Sequence, residues 1–158
     1  MKRYTIAVMG ALAAMVAAPL ASAQAPLSLE QKKAVVIQFY NALNRGDPDT
    51  LLALGRSDYR QHNPNFADGI MGLVDAVRAR PPRPAGSVQP LEFVRVIAEG
   101  DYVMTLRRMT PPPGSPEGAV RANVDIFRVQ DGKVAEHWDY QETFPRGTNP
   151  PKNGNGPF

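Results

Sequence analysis

Apolar residues recur at three- and four-residue spacing in the first half of this chain and at two-residue spacing in the second. Leu29, Val36, Phe39, Tyr40 and Leu43 fall on one face of a helix. Ser28 with Gln31 three residues on forms a capping-box pair that starts this helix, and Gly46 stops it. Asp47-Pro48 restarts the chain as an N-cap followed by proline in the first helical position, for a short helix through Leu54. A brief extended stretch, Tyr59 to Asn63, ends at Pro64. Asp68 is the expected cap of a third helix that carries Ile70, Leu73, Val74 and Val77 and is terminated by Pro81-Pro82.

From Pro90 the alternation is that of strands. Leu91 to Ala98 and Tyr102 to Met109 form one hairpin across Glu99-Gly100-Asp101; Val120 to Val129 and Lys133 to Gln141 form a second across Gln130-Asp131-Gly132. The run Pro111 to Pro116 between them cannot pair inside a sheet and is a loop. Val94 and Val96 against Phe93 and Ile97 place apolar residues on both faces, which predicts cover on both sides of the sheet. Three helices followed by four antiparallel strands make an α+β domain.

The last hairpin concentrates the candidate chemistry. A three-residue loop pairing Val129 with Lys133 sets Asp125 opposite His137, Asn123 opposite Asp139 and Phe127 opposite Ala135. Residues two apart share a face, so Asn123, Asp125, His137 and Asp139 lie together, and opposed Cβ atoms about 4.5–5.5 Å apart allow an Asp–His hydrogen bond. The other face carries Val124, Ile126, Val134 and Trp138. Two readings stay open here: a solvated polar face, ordinary for an antiparallel sheet, or the wall of a cavity.

Composition narrows the chemistry. The 158 residues include no cysteine and only two histidines, His62 and His137, with a formal charge of +3. Thiolate nucleophiles, thiolate metal sites and disulfides are excluded. Residues 1–23 read as an export signal: Lys2 and Arg3, an apolar run from Tyr4 to Leu20, then Ala21-Ser22-Ala23 as a cleavage pattern with Gln24 as the new N-terminus. That segment holds two of the 18 Lys and Arg and none of the 15 acids, so the remainder is close to neutral at +1. Without a basic stripe, nucleic acid is not an expected partner, and no membrane association is expected once the signal is removed. The product is expected to be exported, to the periplasm of a Gram-negative host or otherwise into the medium.

Other templates fail. Gly55-Arg56-Ser57-Asp58-Tyr59 lacks the last glycine of a nucleophile elbow, and no glycine-rich phosphate loop is present. The two histidines form neither a His-x-His nor a helical His-x-x-x-His pair, so no metal is expected.

Tyr59-Arg60-Gln61-His62-Asn63-Pro64, together with Asp125-Ile126-Phe127-Arg128-Val129-Gln130-Asp131-Gly132-Lys133-Val134-Ala135-Glu136-His137-Trp138-Asp139, resembles the SnoaL-like polyketide cyclases of the nuclear-transport-factor-two-like superfamily. Asn44-Arg45-Gly46-Asp47 and the ending Asn155-Gly156-Pro157-Phe158 are similar to its members as well. The resemblance implies a cone: a curved antiparallel sheet wrapped around a long N-terminal helix, with two short helices and a ligand cavity inside. It also implies a homodimer through the outer sheet face at Trp138, Val124 and Ile126. The cyclases it implies use no cofactor and close a ring by acid/base aldol chemistry on an aspartate near the end of the last strand. Asp139 matches that residue, His137 a position lining the same pocket, and His62 the histidine of the early pocket wall.

The expected layout is therefore a signal at 1–23, a SnoaL-like domain at 24–142 and a Pro/Gly/Asn-rich tail at 143–158. The expected function is a cofactor-independent cyclase or isomerase acting on a small hydrophobic carbonyl compound. Asp139, His137, Asp125 and His62 are its catalytic candidates; Asn123, Phe127, Tyr40 and Phe39 are its substrate-binding candidates. Asp139 would take a proton α to the carbonyl, and His137, its positive charge favoured by Asp125, would donate to the enolate oxygen. The alternatives are an exported binding protein for a small hydrophobic ligand and a plain dimerisation module.

Overall fold

The computed structural model describes residues 25–81, 84, 86–145 and 152–158, so the expected signal at 1–23 lies outside the described residues. Helix α1 spans Leu29–Arg45, α2 Pro48–Leu54 and α3 Ile70–Arg78. The strands are β1 Gly55–Gln61, β2 Glu92–Glu99, β3 Tyr102–Met109, β4 Val120–Gln130 and β5 Lys133–Phe144.

Local chemistry sets the helix ends. Gln31 N–H donates to Ser28 Oγ at 3.2 Å while the Ser28 N–H donates to Gln31 Oε1 at 2.8 Å, which closes the capping box. Gly46 ends α1 with a φ of 76°, a left-handed backbone open to glycine at little cost. Asp47 caps α2 through the Thr50 N–H at 3.0 Å. Asp68 does not cap α3. Gly69 occupies the cap position with no side-chain bond, and Asp68 Oδ1 instead accepts from the N–H groups of Gln61 and Gly69, tying the loop to β1.

The sheet has five strands in the order β1-β5-β4-β3-β2 and is mixed, not purely antiparallel. β1 pairs parallel with the edge of β5. The extended stretch near Tyr59 is therefore the end of a strand that begins at Gly55. Only Gly55 and Tyr59 are buried in it, so no alternation announces it; its backbone hydrogen bonds do the defining. Helix α1 lies across one sheet face and touches β2, β3, β4 and β5. Its buried side, Val36, Phe39 and Tyr40, meets Phe127 edge-on, with ring centroids 6.2 Å away from Phe39 and 5.1 Å from Tyr40. Leu51, Leu73, Val74, Val103, Val129 and Val134 belong to the same core.

The β4–β5 register differs from the expected one. The connection is a two-residue turn, Asp131-Gly132, with φ of 51° and 76°, the left-handed pair of a type I′ hairpin. Val129 pairs with Val134, then a bulge at Ala135 shifts the ladder so that Arg128 meets Glu136 and Asp125 meets Asp139. His137 consequently faces Phe127, not Asp125, and Asn123 faces Gln141. The bulge also turns Val134 into the core, against its expected place on the outer face.

The expected cover on both sheet faces is not found among the described residues. Ile97, Tyr102, Met104 and Tyr140 are exposed on the side away from α1. β5 continues two residues beyond the expected domain boundary at 142. The end of the tail returns to β3, where the Arg108 guanidinium lies 4.2 Å over the Phe158 ring.

Candidate functional site

Between α1 and the sheet lies a cavity of about 180 Å³. Phe39, Tyr40 and Leu43 of α1, Phe66 of the β1–α3 loop, Leu73 of α3, and Met109 and Phe127 supply its apolar wall. Gln61, Asn63, Arg107, Asp125, His137, Asp139 and Gln141 supply its polar wall. Asp125, His137 and Asp139 thus converge as expected from alternation, even though the partners across the hairpin moved. The shift kept the parity of the pairing even, and parity alone decides the face.

Asp125 is the hub. His137 Nε2 lies 3.0 Å from its Oδ1, while Thr105 Oγ1 at 3.3 Å, Arg107 Nε at 3.4 Å and Asn123 Nδ2 donate to its Oδ2. Burial pushes the Asp125 carboxyl up, but the His137 hydrogen bond, the Arg107 charge and the Tyr40 hydroxyl together hold it below the ordinary carboxylate range. Burial, then the Asp125 charge, push the Tyr40 phenol well up, so it stays a donor. Arg107 also donates to the Tyr40 oxygen at 3.2 Å and lies 4.0 Å over the Tyr40 ring.

Asp139 is held differently. Its Oδ2 accepts from Asn63 Nδ2 at 2.8 Å and from Gln141 Nε2 at 3.1 Å. Both amides are oriented from their far ends: Asn63 Oδ1 accepts the Asn65 N–H at 2.8 Å, and Gln141 Oε1 accepts from Arg121. Oδ1 of Asp139 makes no hydrogen bond to a described residue.

Two expected site residues lie elsewhere. His62 is on the opposite sheet face, half exposed, stacked on Trp138 at 4.7 Å and 2.9 Å from Glu136 Oε1. Strand alternation turns Gln61 and Asn63 inward and His62 outward. Asn123 is fully buried, bonded to Asp125, and does not line the cavity; its Oδ1 has no hydrogen-bond partner among the described residues. Phe39, Tyr40 and Phe127 do line it. Among the described residues, no group of three His, Asp or Glu side chains is arranged to hold a metal ion, and no helix is long and apolar enough to cross a membrane.

Residues 36–137 match the SnoaL-like domain family. TsrD from Streptomyces laurentii is 30% identical over 74% of this chain and 92% of its own, with a TM-score of 0.51. The chain belongs to the SnoaL-like family. Its fold is the nuclear-transport-factor-two-like α+β fold. A protein from Kribbella flavida provisionally assigned as a ketosteroid isomerase shares that fold at 20% identity, covering 79% of this chain and 85% of its own, with a TM-score of 0.57. An epoxide hydrolase from M. tuberculosis shares it at 24% identity, covering 72% and 84%, with a TM-score of 0.53. No curated protein matches the chain. Proteins named for different activities share this fold, so the fold does not by itself assign an activity to this chain.

Four polar residues lining the cavity of this SnoaL-like domain were not among the sequence candidates, and the first is Arg107. The alternation Val103, Thr105, Arg107 was the available signal: once Val103 is inside, Arg107 is inside too. Nothing local distinguishes it from Arg108, which points outward to Glu92 at 2.8 Å. Gln61, Asn63 and Gln141 were missed because their role depends on which side of β1 and β5 is covered.

Proposed function

We propose that the cavity is the active site of a cofactor-independent enzyme that removes a proton α to a carbonyl, leading to aldol-type ring closure or double-bond isomerisation. The disposition of Asp139 carries this reading. One carboxylate oxygen is fixed by two pre-oriented amides, and the other is left for substrate in a largely apolar chamber. That is the arrangement a positioned general base requires.

In the proposed step Asp139 Oδ1 takes the α-proton, and the C–H electron pair becomes the enolate. Arg107 serves as the donor to the enolate oxygen: its Nε is spent on Asp125 and Nη2 on Tyr40, while Nη1 has no hydrogen bond to a described residue. The enolate carbon then attacks a second carbonyl within the same molecule, and the new alkoxide takes the proton back from Asp139. For isomerisation the proton returns to the γ-carbon instead. A volume of about 180 Å³, below the roughly 300–1,000 Å³ of drug-sized sites, favours a compact substrate over a large polycycle.

The test is solvent deuterium incorporation into a panel of cyclic and β-keto compounds. Asp139→Asn should lower exchange by about 10²–10⁴-fold while the cavity still binds. Undiminished exchange in that variant would remove Asp139 from the mechanism. Tight binding with no exchange in the wild type would favour the small-ligand binding protein instead.

We also propose that two copies pair through the outer sheet face. Ile97, Met104, Ile126 and Trp138 form one transverse row there, and Leu106, Val124 and Tyr140 the next. Such a contiguous apolar face is costly to leave in water.

A further inference from the structure

The protons on His137 follow from its neighbours. Its Nδ1 lies 3.0 Å from Gln61 Oε1 and its Nε2 lies 3.0 Å from Asp125 Oδ1. The backbone N–H of Asn63, which can only donate, also sits 3.0 Å from Gln61 Oε1, while Gln61 Nε2 donates to Tyr59 Oη at 3.1 Å. Turning the Gln61 amide over would set its NH₂ against that N–H. The atom facing Nδ1 is therefore an acceptor, and Nδ1 must carry a proton.

The same accounting applies to Nε2. Arg107 Nε, Asn123 Nδ2, Thr105 Oγ1 and the Tyr40 hydroxyl all address the Asp125 carboxyl. Such a set of donors stabilises the ionised form, which has no proton to give, so Nε2 carries one as well.

We propose that His137 is a doubly protonated positioning residue, with both N–H groups spent on Gln61 and Asp125, and is neither the proton carrier nor the oxyanion donor of the site. Its charge has a use. Asp125 and Asp139 are direct cross-strand partners on one face, where two carboxylates repel and would compete for a proton. His137, bonded to Asp125 and two residues from Asp139 on the same face of β5, adds a cation to that face. The Phe127 ring stacks on it at 4.5 Å and 21°, a contact that suits a cation. The other titratable groups around this cluster are Arg107 on β3, Tyr40 on α1 and Tyr59 on β1. Burial keeps both phenols neutral, so the polar wall balances two carboxylates against two cations. A balanced wall favours an uncharged carbonyl substrate.

The protonation state is read without any substrate, by two-bond ¹H–¹⁵N correlation on histidine-labelled wild-type protein at neutral pH. Only His62 and His137 contribute, and a His62→Gln variant assigns them. Both His137 nitrogens are expected at the protonated position; one at the unprotonated position would overturn the assignment. The kinetic half rests on Asp139 being the base. In His137→Gln the exchange rate should fall by less than about 100-fold; a loss of about 100-fold or more, the size expected when an acid/base group is removed, would make His137 a proton carrier and refute the positioning role. Absence of exchange in the wild type would sink the enolisation reading, while the nitrogen spectrum would still decide the charge of His137.

Discussion

Replacing Asp125 by asparagine removes one charge from the centre of the polar wall while keeping its shape. Asp125 is 1% exposed and Arg107 7%, and their charged groups are 3.4 Å apart. At an effective dielectric constant near 20 that separation corresponds to an attraction of about 5 kcal/mol. An asparagine there can keep its oxygen toward Thr105, Arg107 and Asn123 only by turning its NH₂ toward His137 Nε2, which must then give up its proton. Arg107 is left as a buried guanidinium without a counter-ion, a defect that costs about 3–5 kcal/mol, or on the order of 10–20 °C in Tm for a domain of this size. Urea unfolding at pH 5.5 measures it, in a cycle with Arg107→Met and the double variant. The double variant should regain much of the loss, because neither charge is then stranded. Single-variant costs that add to within about 0.5 kcal/mol would refute the coupling. The pH dependence has a definite sign. The folded-state carboxyl lies below its unfolded value near 3.9. Its contribution is therefore complete above that value and is lost as pH falls through the folded one, so the gap between wild type and Asp125→Asn should narrow on acidification to pH 3.

Two further outcomes test the scaffold. In Gly72→Ala a Cβ would lie 2.1 Å from the Ala67 carbonyl oxygen, so the loop that carries Asn63 and Phe66 must move; urea unfolding should show a loss of about 1–3 kcal/mol. Met104→Lys places a charge in the middle of the outer apolar row; sedimentation should read half the wild-type mass while exchange activity is unchanged, and a wild type that already sediments as a monomer would rule out the pairing.

The boundaries of α1 and α2 were legible in the sequence because they are local: Ser28 and Gln31 are within one turn of each other, and Gly46 and Asp47-Pro48 act on their own backbones; the start of α3 was not, because Asp68 is drawn to the Gln61 N–H of β1. The face shared by Asp125, His137 and Asp139 was legible for a similar reason, since alternation survives any register change of two. The partners across the hairpin were not. The bulge at Ala135 has no side-chain signature, and a two-residue and a three-residue turn both fit Gln130-Asp131-Gly132. His62 was misplaced because the motif Gln61-His62-Asn63 alternates, and the sequence does not say which parity points inward.

The chain by itself determined the starts and stops of α1 and α2, the two-residue period of the last four strands and a chemistry narrowed to carboxylates and two imidazoles. These follow from interactions a few residues long and from composition. The tertiary structure decided that β1 pairs with β5, that Arg107 enters the wall while Arg108 leaves it, and that Gln61 and Asn63 replace His62 beside the cavity. The first is a backbone pairing between distant segments, and the others depend on which side of a strand the helices cover. That covering is a contact between segments far apart in sequence, and burial against it is what turns an ordinary polar side chain into part of a site.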